Sequence, residues 1–249
     1  MLGSHRFDRP ATFACGPDSL NAGLLSHWPL TELTGIRRDL LGGYHLMPTS
    51  FTATNAQAGA GKLIRAVDFT DTSSSYLTRP PVTFLPFGHD DWAYGAWLYS
   101  TDDGGWDAIG SQWAATSNQR GWYIGVDWSG SNNKLEFGVT SLGTTGSLAY
   151  VTSATGSIPS NTWTYVYWYH DGVNNLIGVS INGATPTTTA HSAGVHNSTF
   201  DTRLGGVTYG NAKCLLEAAS FWYGSGSIKS TAELAALYGG GYGNPMVRG

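Results

Sequence analysis

Three tyrosines at alternating positions form the most prominent group of potential ligand-binding side chains in the sequence. Tyr165, Tyr167 and Tyr169 lie within NTWTYVYWYHDGVNNLIGVSING, which spans residues 161–183. In an extended chain, alternate side chains point to one face, so the three rings would stand in a row. Such a row could stack against the C–H faces of sugars, and protein partners also favour tyrosine. These three tyrosines are therefore the candidate ligand-binding residues.

The same row of rings could instead be covered by a second layer, made of long loops or of the N-terminal residues. We favour this covered arrangement for the tyrosines. Trp122 and Trp128, which flank Gly125, leave the same two alternatives open. The alternatives predict different costs. Replacing an exposed Tyr167 with alanine should cost little stability, whereas replacing a core residue such as Trp168 should cost roughly 3–5 kcal/mol.

Carboxylate pairs that could cleave a glycosidic bond are not found on the predicted strands. A retaining glycoside hydrolase needs two carboxyl groups about 5 Å apart, which alternate positions on one strand face could supply. The same-face neighbours of Glu217 and of Glu136 are not carboxylates. We expect each of these glutamates to face solvent or to be paired at the rim. The sequence therefore predicts that the protein is not an enzyme and has no catalytic residues.

Metal ligands and nucleophiles are not indicated either. The seven histidines have no metal-binding spacing, the sequence has no G-x-S-x-G turn, and His170 is predicted to be a hydrogen-bonded core imidazole. Calcium requires oxygen ligands in loops, which Asp71, the pair Asp90-Asp91 or the pair Asp102-Asp103 could supply. Aspartates in such loops usually stabilise turns instead. We therefore predict no metal site and no cofactor, with calcium as the alternative.

The elements that must position the tyrosines are two strands joined by a short turn. Residues 164–170 and 177–181 alternate in character, and Asp171-Gly172 followed by Asn174-Asn175 supplies residues that tolerate positive φ. Pairing His170 with Ile177 places the apolar members of both strands on one face, namely Val166, Trp168, Val179 and Ile181. A shift of one residue would divide them between core and solvent, so this register is predicted.

Composition indicates a single all-β domain. The 249 residues include 34 glycines and 13% aromatic residues but only 12% charged residues, against about a quarter in average soluble proteins. These proportions are typical of many short strands joined by glycine- and serine-rich turns.

The net charge is −4 and positive charge is not clustered, so nucleic acid is not an expected partner. No apolar run approaches the roughly 20 residues of a transmembrane helix.

The ends of the chain and its cysteines lead to further expectations. Residues 1–20 are polar and without a period, and are predicted to form an N-terminal arm. Residues 21–241 are predicted to form the folded domain and residues 242–249 a flexible tail. The N-terminal residues lack the apolar segment of a signal peptide. Cys15 and Cys214 match no zinc motif, so we expect free, partly buried thiols, with a disulfide between them as the alternative.

Alternating side chains predict strands along most of the folded domain. The predicted strands cover residues 23–30, 65–69, 76–78, 92–99, 107–113, 121–128, 134–140, 149–152, 202–206 and 215–223. One short helix is predicted near the end, because Ser230 and Glu233 fit a capping box in which each side chain bonds the other residue's backbone amide. Gly239 is placed to end this helix.

Seven segments, in this order, resemble the laminin-G-like branch of the concanavalin A-like jelly rolls. They are GLLSHWPLTELTG (23–35), AVDFTDTSSSYLT (66–78), DDWAYGAWLYS (90–100), NTWTYVYWYHDG (161–172), GVSING (178–183), LLEAASFWYGS (215–225) and STAELAALYGGG (230–241). The resemblance implies a two-sheet antiparallel jelly-roll sandwich whose first strand lies near its last, followed by a terminal helix. It also implies binding of glycans or proteins, sometimes through calcium, while β-glucanases form a smaller group of the wider superfamily.

Two functions follow as expectations. In the first, the chain is a self-assembling structural subunit, of the virion surface or filament type, that docks on its neighbours through the N-terminal arm and also recognises glycan or protein. In the second, it is a secreted or cell-surface carbohydrate-binding lectin module. The missing signal peptide favours the first slightly, and glycoside hydrolysis ranks last. Either function implies an extracellular or virion-surface location, glycan or protein partners, no nucleic acid and no membrane span.

Overall fold

The computed structural model describes residues 18–41, 43–49, 61–69, 75–79, 87–101, 104–207, 210–211 and 214–241. The first nine strands are β1 (Leu24–Trp28), β2 (Met47–Thr49), β3 (Val67–Asp68), β4 (Tyr76–Arg79), β5 (Trp92–Ser100), β6 (Trp106–Ala114), β7 (Gln119–Asp127), β8 (Lys134–Thr140) and β9 (Leu148–Thr152). The later strands are β10 (Thr164–Asp171), β11 (Leu176–Ile181), β12 (Thr187–Ala190), β13 (Thr202–Leu204), β14 (Gly206–Val207), β15 (Gly210–Asn211) and β16 (Cys214–Tyr223). The α-helices are α1 (Asp18–Asn21) and α2 (Thr231–Tyr238), and the 3₁₀ turns are Thr116–Asn118, Ser129–Ser131, Thr145–Ser147 and Gly239–Gly241.

The first sheet has seven antiparallel strands in the order β1-β16-β5-β10-β11-β12, with β3 also paired to β16. The first strand of the domain therefore pairs with the last, as the resemblance implied. In the β10–β11 hairpin, His170 lies opposite Ile177 and Trp168 opposite Val179. The register predicted from the apolar pattern is confirmed.

The second sheet also has seven antiparallel strands, in the order β2-β4-β13-β6-β7-β8-β9. The short strands β14 and β15 pair with each other beside it. The two sheets pack face to face, so the predicted all-β, two-sheet antiparallel jelly-roll sandwich with one short C-terminal helix is confirmed.

The main core lies between the two sheets and is rich in aromatic side chains. Trp168 and Val179 of the first sheet are buried there with Trp122 of the second, and Ile181 packs against them with partial exposure. Tyr94 stacks on Trp168 and on Phe221, with ring centroids 5.5 Å and 4.4 Å apart. Stacked pairs of this kind stabilise a core beyond the burial of their area.

A second apolar cluster lies on the outer face of the first sheet, beneath helix α2. Leu234 and Leu237 of α2 pack there against Trp97 and Trp222 of the sheet. The helix begins as predicted, because Ser230 Oγ accepts from the Glu233 amide at 3.4 Å while the Glu233 carboxylate accepts from the Ser230 amide at 2.8 Å. Gly239 ends it in the left-handed conformation, at φ 58°. The capping box and its stop are confirmed.

Residues just before β1 also belong to this second cluster. Leu20 of α1 is 1% exposed, and its carbonyl oxygen accepts from Trp222 Nε1 at 3.0 Å. Lys229 Nζ donates to the carbonyl oxygens of Ser19 and Ala22 at 2.9 Å and 2.8 Å. The end of the proposed arm is thus tied to the domain. Residues 1–17 and 242–249 lie outside the described residues, so the arm, the tail and self-assembly stay predictions.

Strands that the alternation rule missed lie at sheet edges or in very short hairpins. Strand β12 consists of threonines and one alanine that are largely exposed, and β2 contains Pro48, which edge strands tolerate. Their polar or interrupted sequences carry no apolar alternation to detect.

Cys214 is free and buried, while Cys15 lies outside the described residues. None of the described helices is long and apolar enough to cross a membrane.

Candidate functional site: an aromatic face on the second sheet

The tyrosine face, defined by Tyr165, Tyr167 and Tyr169, is buried beneath α2. The three side chains are 6%, 0% and 5% exposed. The Tyr167 hydroxyl donates to the Ser227 carbonyl oxygen at 2.6 Å and accepts from the Lys229 amide at 3.2 Å. Burial raises the pKa of Tyr169 to about 12 and raises that of Tyr165 and Tyr167 as well. The rings adopt the covered arrangement, and a role for them in ligand binding stays a prediction that requires α2 to move.

The two tryptophans that left the same question open are also interior. Trp122 is fully buried in the main core, and Trp128 is 1% exposed. The Trp128 indole Nε1 donates to the buried carboxylate of Asp107 at 2.9 Å. Neither ring is positioned to meet a ligand at the surface.

Glu217 is not solvent-facing, which corrects the expectation from its sequence neighbours. It is 1% exposed, and its carboxylate accepts from the backbone amides of Leu63, Ile64 and Arg65 at 2.9 Å, 2.5 Å and 3.1 Å. Three converging amides replace water around the charge, so a carboxylate can be buried here. The contact joins residues 152–154 positions apart in the chain. Strand alternation contains no information about such a distant loop.

The aspartates considered for calcium accept hydrogen bonds from the protein itself where the structure describes them. Asp91 Oδ1 accepts from the amides of Gly172 and Val173 at 2.8 Å and 3.3 Å, and the Asp90 carboxylate accepts from the Tyr223 hydroxyl. Within the described ranges, no three histidine, cysteine, aspartate or glutamate side chains are grouped so that they could hold a metal ion. Asp71, Asp102 and Asp103 lie outside the described residues.

His170 is the hydrogen-bonded core imidazole that the sequence predicts. It is fully buried, and its Nδ1 lies 2.9 Å from the Asp90 carbonyl oxygen. Burial lowers the pKa of His170, an effect that the hydrogen bond to Asp90 opposes. The ring stacks against Trp92 with 6.2 Å between centroids. It therefore belongs to the packing of the main core.

Four other aromatic side chains share the outer face of the second sheet, and we call them the aromatic face. They are Trp106 and Trp113 of β6, Tyr123 of β7 and Tyr150 of β9. Tyr150 is 55% exposed, and the other three side chains are partly exposed. Tyr123 lies opposite Gly138, which in turn lies opposite Tyr150, so these two tyrosines are on the same side of the sheet, two strands apart. Two strand spacings correspond to about 10 Å.

Glycines bring two of these rings close to the sheet. A Cβ atom on Gly138 would lie 2.3 Å from Tyr123 Cε1, and one on Gly125 would lie 2.3 Å from Trp106 Cζ2. Each ring therefore occupies the place that a side chain would take at the opposite glycine. Any other residue at these positions would push the ring outward.

Tyr123 is the centre of the aromatic face. Trp106 and Trp113 each meet its ring edge to face, with centroids 5.6 Å and 5.0 Å away. The Tyr123 hydroxyl donates to Glu136 Oε1 at 2.7 Å. Burial first, and then the Glu136 carboxylate, raise the pKa of Tyr123, so the phenol remains a donor at neutral pH. Three rings and one carboxylate thus form a connected unit at the surface.

Two charged groups, Arg120 and Glu136, contact this unit. The Arg120 guanidinium lies 5.9 Å from the centroid of the Trp113 ring, which is within range of a cation–π interaction. Glu136 keeps lone pairs beyond the one that receives the Tyr123 hydroxyl, so it can accept from hydroxyl groups of a ligand. The aromatic face can therefore stack apolar ring faces and bond polar groups at its margin.

The sequence contains a signal for this face in the alternation of β7 and β8. On β7, Trp122, Ile124 and Val126 alternate into the core. The same rule sends Tyr123 and Gly125 to the other side. The positions of β7 and β8 that face away from the core include Tyr123 and Glu136, so alternation alone could have identified these two as surface residues. Trp106 and Trp113 could not be found this way, because irregularities in the β6–β7 pairing shift their phase.

No model of a known protein family matches the sequence, and no curated protein sequence matches it. Solved structures are similar in fold. The botulinum neurotoxin serotype D ligand binding domain in complex with N-acetylneuraminic acid aligns with a TM-score of 0.67 and 10% identity, over 90% of this chain and 52% of that chain. The binding domain of Paraclostridial Mosquitocidal Protein 1 aligns with a TM-score of 0.65 and 16% identity, over 88% and 52%.

A third similar structure is the binding domain of botulinum neurotoxin DC in complex with rat synaptotagmin II. It aligns with a TM-score of 0.64 and 13% identity, over 89% of this chain and 52% of that chain. At these identities the likeness establishes the fold alone. It agrees with a β-sandwich jelly roll and does not single out the laminin-G-like branch. The chain spans about half the length of these structures, and the ligands named with them are those of the neurotoxin domains.

Proposed function

We propose that this chain is a non-catalytic recognition module that binds glycans through the aromatic face. The observation that carries the proposal is the partial exposure of Trp106, Trp113, Tyr123 and Tyr150 on one side of the second sheet. Fully burying a large apolar side chain stabilises a protein by about 1.5–3 kcal/mol. Rings that remain accessible keep part of that free energy for contact with a ligand.

Glycan is favoured over an apolar ligand by the chemistry at the edge of the rings. The face of an aromatic ring is electron-rich and attracts the polarised C–H groups of a sugar. The Glu136 carboxylate and the Arg120 guanidinium can bond the hydroxyl or acidic groups that project from the rim of that sugar. Aromatic stacking with polar bonds at the margin is the combination that an amphipathic sugar ring requires.

A binding role, rather than catalysis, is supported by the surroundings of the two glutamates. Glu136 is engaged by a tyrosine hydroxyl, and Glu217 is buried on the first sheet, where three backbone amides surround it. They lie in different sheets, so they do not form the pair of carboxyl groups that glycoside hydrolysis needs. Recognition of a protein surface through the same rings is the second candidate, since tyrosine and tryptophan are enriched in interfaces.

The similar solved structures support recognition as the general role. Three of them are named as binding domains, one in complex with N-acetylneuraminic acid and one with synaptotagmin II. We further infer that the jelly roll is of the laminin-G-like type, which rests on the seven matching segments, and that it acts outside the cell. An extracellular role fits a glycan ligand, because glycans are displayed on cell surfaces.

The test is a glycan array followed by titration of the best ligand. We expect the wild-type protein to bind, and W106A and Y123A to lower its affinity at least about tenfold, which corresponds to about 1.4 kcal/mol. E136Q should weaken binding while leaving the rings in place. Trp163 provides the matched control, because it is a partly exposed tryptophan beside another ring, Tyr99, at a centroid distance of 5.5 Å on the first sheet.

The outcomes separate the candidates. An unaffected W163A with a weakened W106A supports glycan binding through the aromatic face. A blank array contradicts glycan recognition. Equal losses in W106A and W163A would show that the affinity does not depend on the aromatic face.

A further inference from the structure

Exposed apolar side chains are concentrated in two loops of the described residues. Ten large hydrophobic side chains are exposed in the part of the chain that the structure describes, and seven of them lie between Leu33 and Ile64. Five belong to the segment from β1 to β2, namely Leu33, Ile36, Leu40, Leu41 and Met47. The other two, Leu63 and Ile64, lie just before β3. We call these seven side chains the apolar edge.

The sheet order places both loops on the same side of the sandwich. Strands β1 and β3 both pair with β16 and form one edge of the first sheet, while β2 forms one edge of the second. The opposite edges are β12 and β9, which lie against each other. The segment from β1 to β2 therefore crosses from sheet to sheet on the side where the loop before β3 also lies.

Two buried carboxylates hold these loops in their conformation. The Glu217 carboxylate binds the amides of Leu63, Ile64 and Arg65. The Asp39 carboxylate in the same way accepts from the amides of Leu41 and Tyr44, each at 3.0 Å, and of His27 at 2.9 Å. Both carboxylates are buried, so the polar backbone faces inward and the apolar side chains face outward. The exposure of Ile64, at 64%, is thus built into the fold.

Positive charge predominates at the surface of these loops, where Glu32 is the one partly exposed acid of their described residues. Arg38 and Lys62 are exposed and Arg65 is partly exposed, whereas the negative charges of Asp39 and Glu217 are turned inward. Glu32, the remaining acid, accepts from the Arg38 amide at 2.7 Å. The local balance is opposite to that of the whole chain, whose net charge is −4. Apolar side chains interspersed with cations are the combination that binds the interface of an anionic lipid bilayer.

We propose that the apolar edge inserts its apolar side chains into the surface of an anionic lipid membrane while Arg38, Lys62 and Arg65 contact the lipid headgroups. Pairing with a second copy of the chain is disfavoured by the same charges. A symmetric dimer brings one surface patch against itself, so the three cations would meet their own copies. A flat lipid surface supplies both an apolar layer and negative charge, and this interaction is independent of the glycan site.

Sedimentation with carbohydrate-free vesicles tests the proposal. We expect the protein to bind phosphatidylcholine vesicles that contain phosphatidylserine, and to bind less as salt increases, because salt screens the headgroup contacts. The double variant L41S/I64S should lower the partition coefficient at least about tenfold, since two apolar side chains no longer insert. The variant R38S/K62S should weaken binding to the anionic vesicles and leave the weak binding to neutral vesicles unchanged.

Two exposed apolar residues outside the apolar edge serve as matched controls. Val173 and Leu142 are 77% and 69% exposed, at least as much as Ile64. The double variant L142S/V173S should bind vesicles like the wild type. Equal losses in this control and in L41S/I64S would contradict the proposal, as would wild-type protein that binds neither kind of vesicle.

Native mass and glycan titration complete the test. The wild type could instead form a concentration-dependent dimer that L41S/I64S abolishes, and show no vesicle binding. That result would contradict the lipid proposal and identify a second copy of the chain as the partner of the apolar edge. Because the vesicles contain no sugar, loss of vesicle binding says nothing about the aromatic face. Conversely, L41S/I64S should titrate glycan like the wild type. Thermal unfolding of each variant confirms that it is folded, which is expected because the substituted side chains are exposed.

Discussion

The two outer faces of the sandwich use the same local device and end in opposite states. On the first sheet, Tyr169 packs over Gly178, and a Cβ on that glycine would lie 2.4 Å from Tyr169 Cζ. On the second sheet, Tyr123 packs over Gly138 in the same way. The tyrosine face is nevertheless buried beneath α2 and α1, whereas the aromatic face is reached by solvent.

The difference shows that strand sequence decides which side chains share a face, but not whether that face is covered. Packing of a ring over a cross-strand glycine depends on two neighbouring strands. Covering the tyrosine face depends on α2, which begins sixty positions after the last residue of β10. A row of aromatic residues is therefore evidence for a binding surface only after the elements that pack against it are known.

The largest effect that tests this comparison is expected from Y167A. Tyr167 is fully buried and holds the loop before α2 through two hydrogen bonds, so its truncation should lower the free energy of unfolding by about 3–5 kcal/mol. Chemical denaturation measures this value. Y167F, which keeps the ring, should lose only about 1 kcal/mol with the hydroxyl. Wild-type stability in Y167A would mean that α2 does not cover the tyrosine face in solution.

The second effect is a loss of stability in acid that arises on the outer face of the first sheet. His27 belongs to it, because cross-strand pairs connect His27 to Ser220, Ser220 to Gly95 and Gly95 to Tyr167. Burial lowers the pKa of His27 from 6.5 to about 4, against the opposing effect of the Asp39 carboxylate. Between these two pH values the unfolded chain binds a proton that the folded protein does not. Stability should therefore fall as the pH falls from 6.5 to 4.

H27N measures the contribution of this single residue. Asparagine does not titrate and can still bond Ser220, whose Oγ lies 2.8 Å from His27 Nδ1. At 1.36 kcal/mol per pKa unit, the wild type should lose on the order of 3 kcal/mol more than H27N across that range. Denaturation midpoints at several pH values give the two slopes. Parallel slopes would place His27 in contact with water.

The elements that the sequence predicted well have local causes. The β10–β11 register follows from the apolar alternation of Val166, Trp168 and Val179, and helix α2 follows from the capping box at Ser230. In both cases the deciding residues lie within about fifteen positions of one another. The two-sheet architecture was accessible for the same reason, because many such short strands leave few other ways to bury their apolar faces.

The functional surface was harder to predict because its determinants lie far apart in the sequence. Glu217 is buried because a loop before β3 brings three amides to it, and Tyr167 is buried because α2 returns to the first sheet. Trp106 and Trp113 face outward because irregular pairing between β6 and β7 changes the phase of alternation. None of these facts is contained in the pattern of a single strand.

A smaller effect is expected at the helix that covers the tyrosine face. S230A removes the hydroxyl that accepts from the Glu233 amide, so the free energy of unfolding should fall by about 1 kcal/mol. Hydrogen exchange of the α2 amides should accelerate more than that of β10. E233Q is the matched variant, since glutamine can complete the same capping box and should cost less. If S230A lost as much stability as Y167A, unfolding of α2 would not be separable from exposure of the tyrosine face.

Y150A is expected to have the smallest effect on stability but a large effect on glycan binding. Tyr150 is 55% exposed, so its truncation should change the free energy of unfolding by no more than about 0.5 kcal/mol. On the proposed function, the same change removes one ring of the aromatic face and should weaken glycan binding at least about tenfold. Denaturation and glycan titration on one preparation measure both quantities. A loss of stability near that of Y167A, with glycan affinity unchanged, would make the aromatic face a second covered face, and the contrast between the two sheets would disappear.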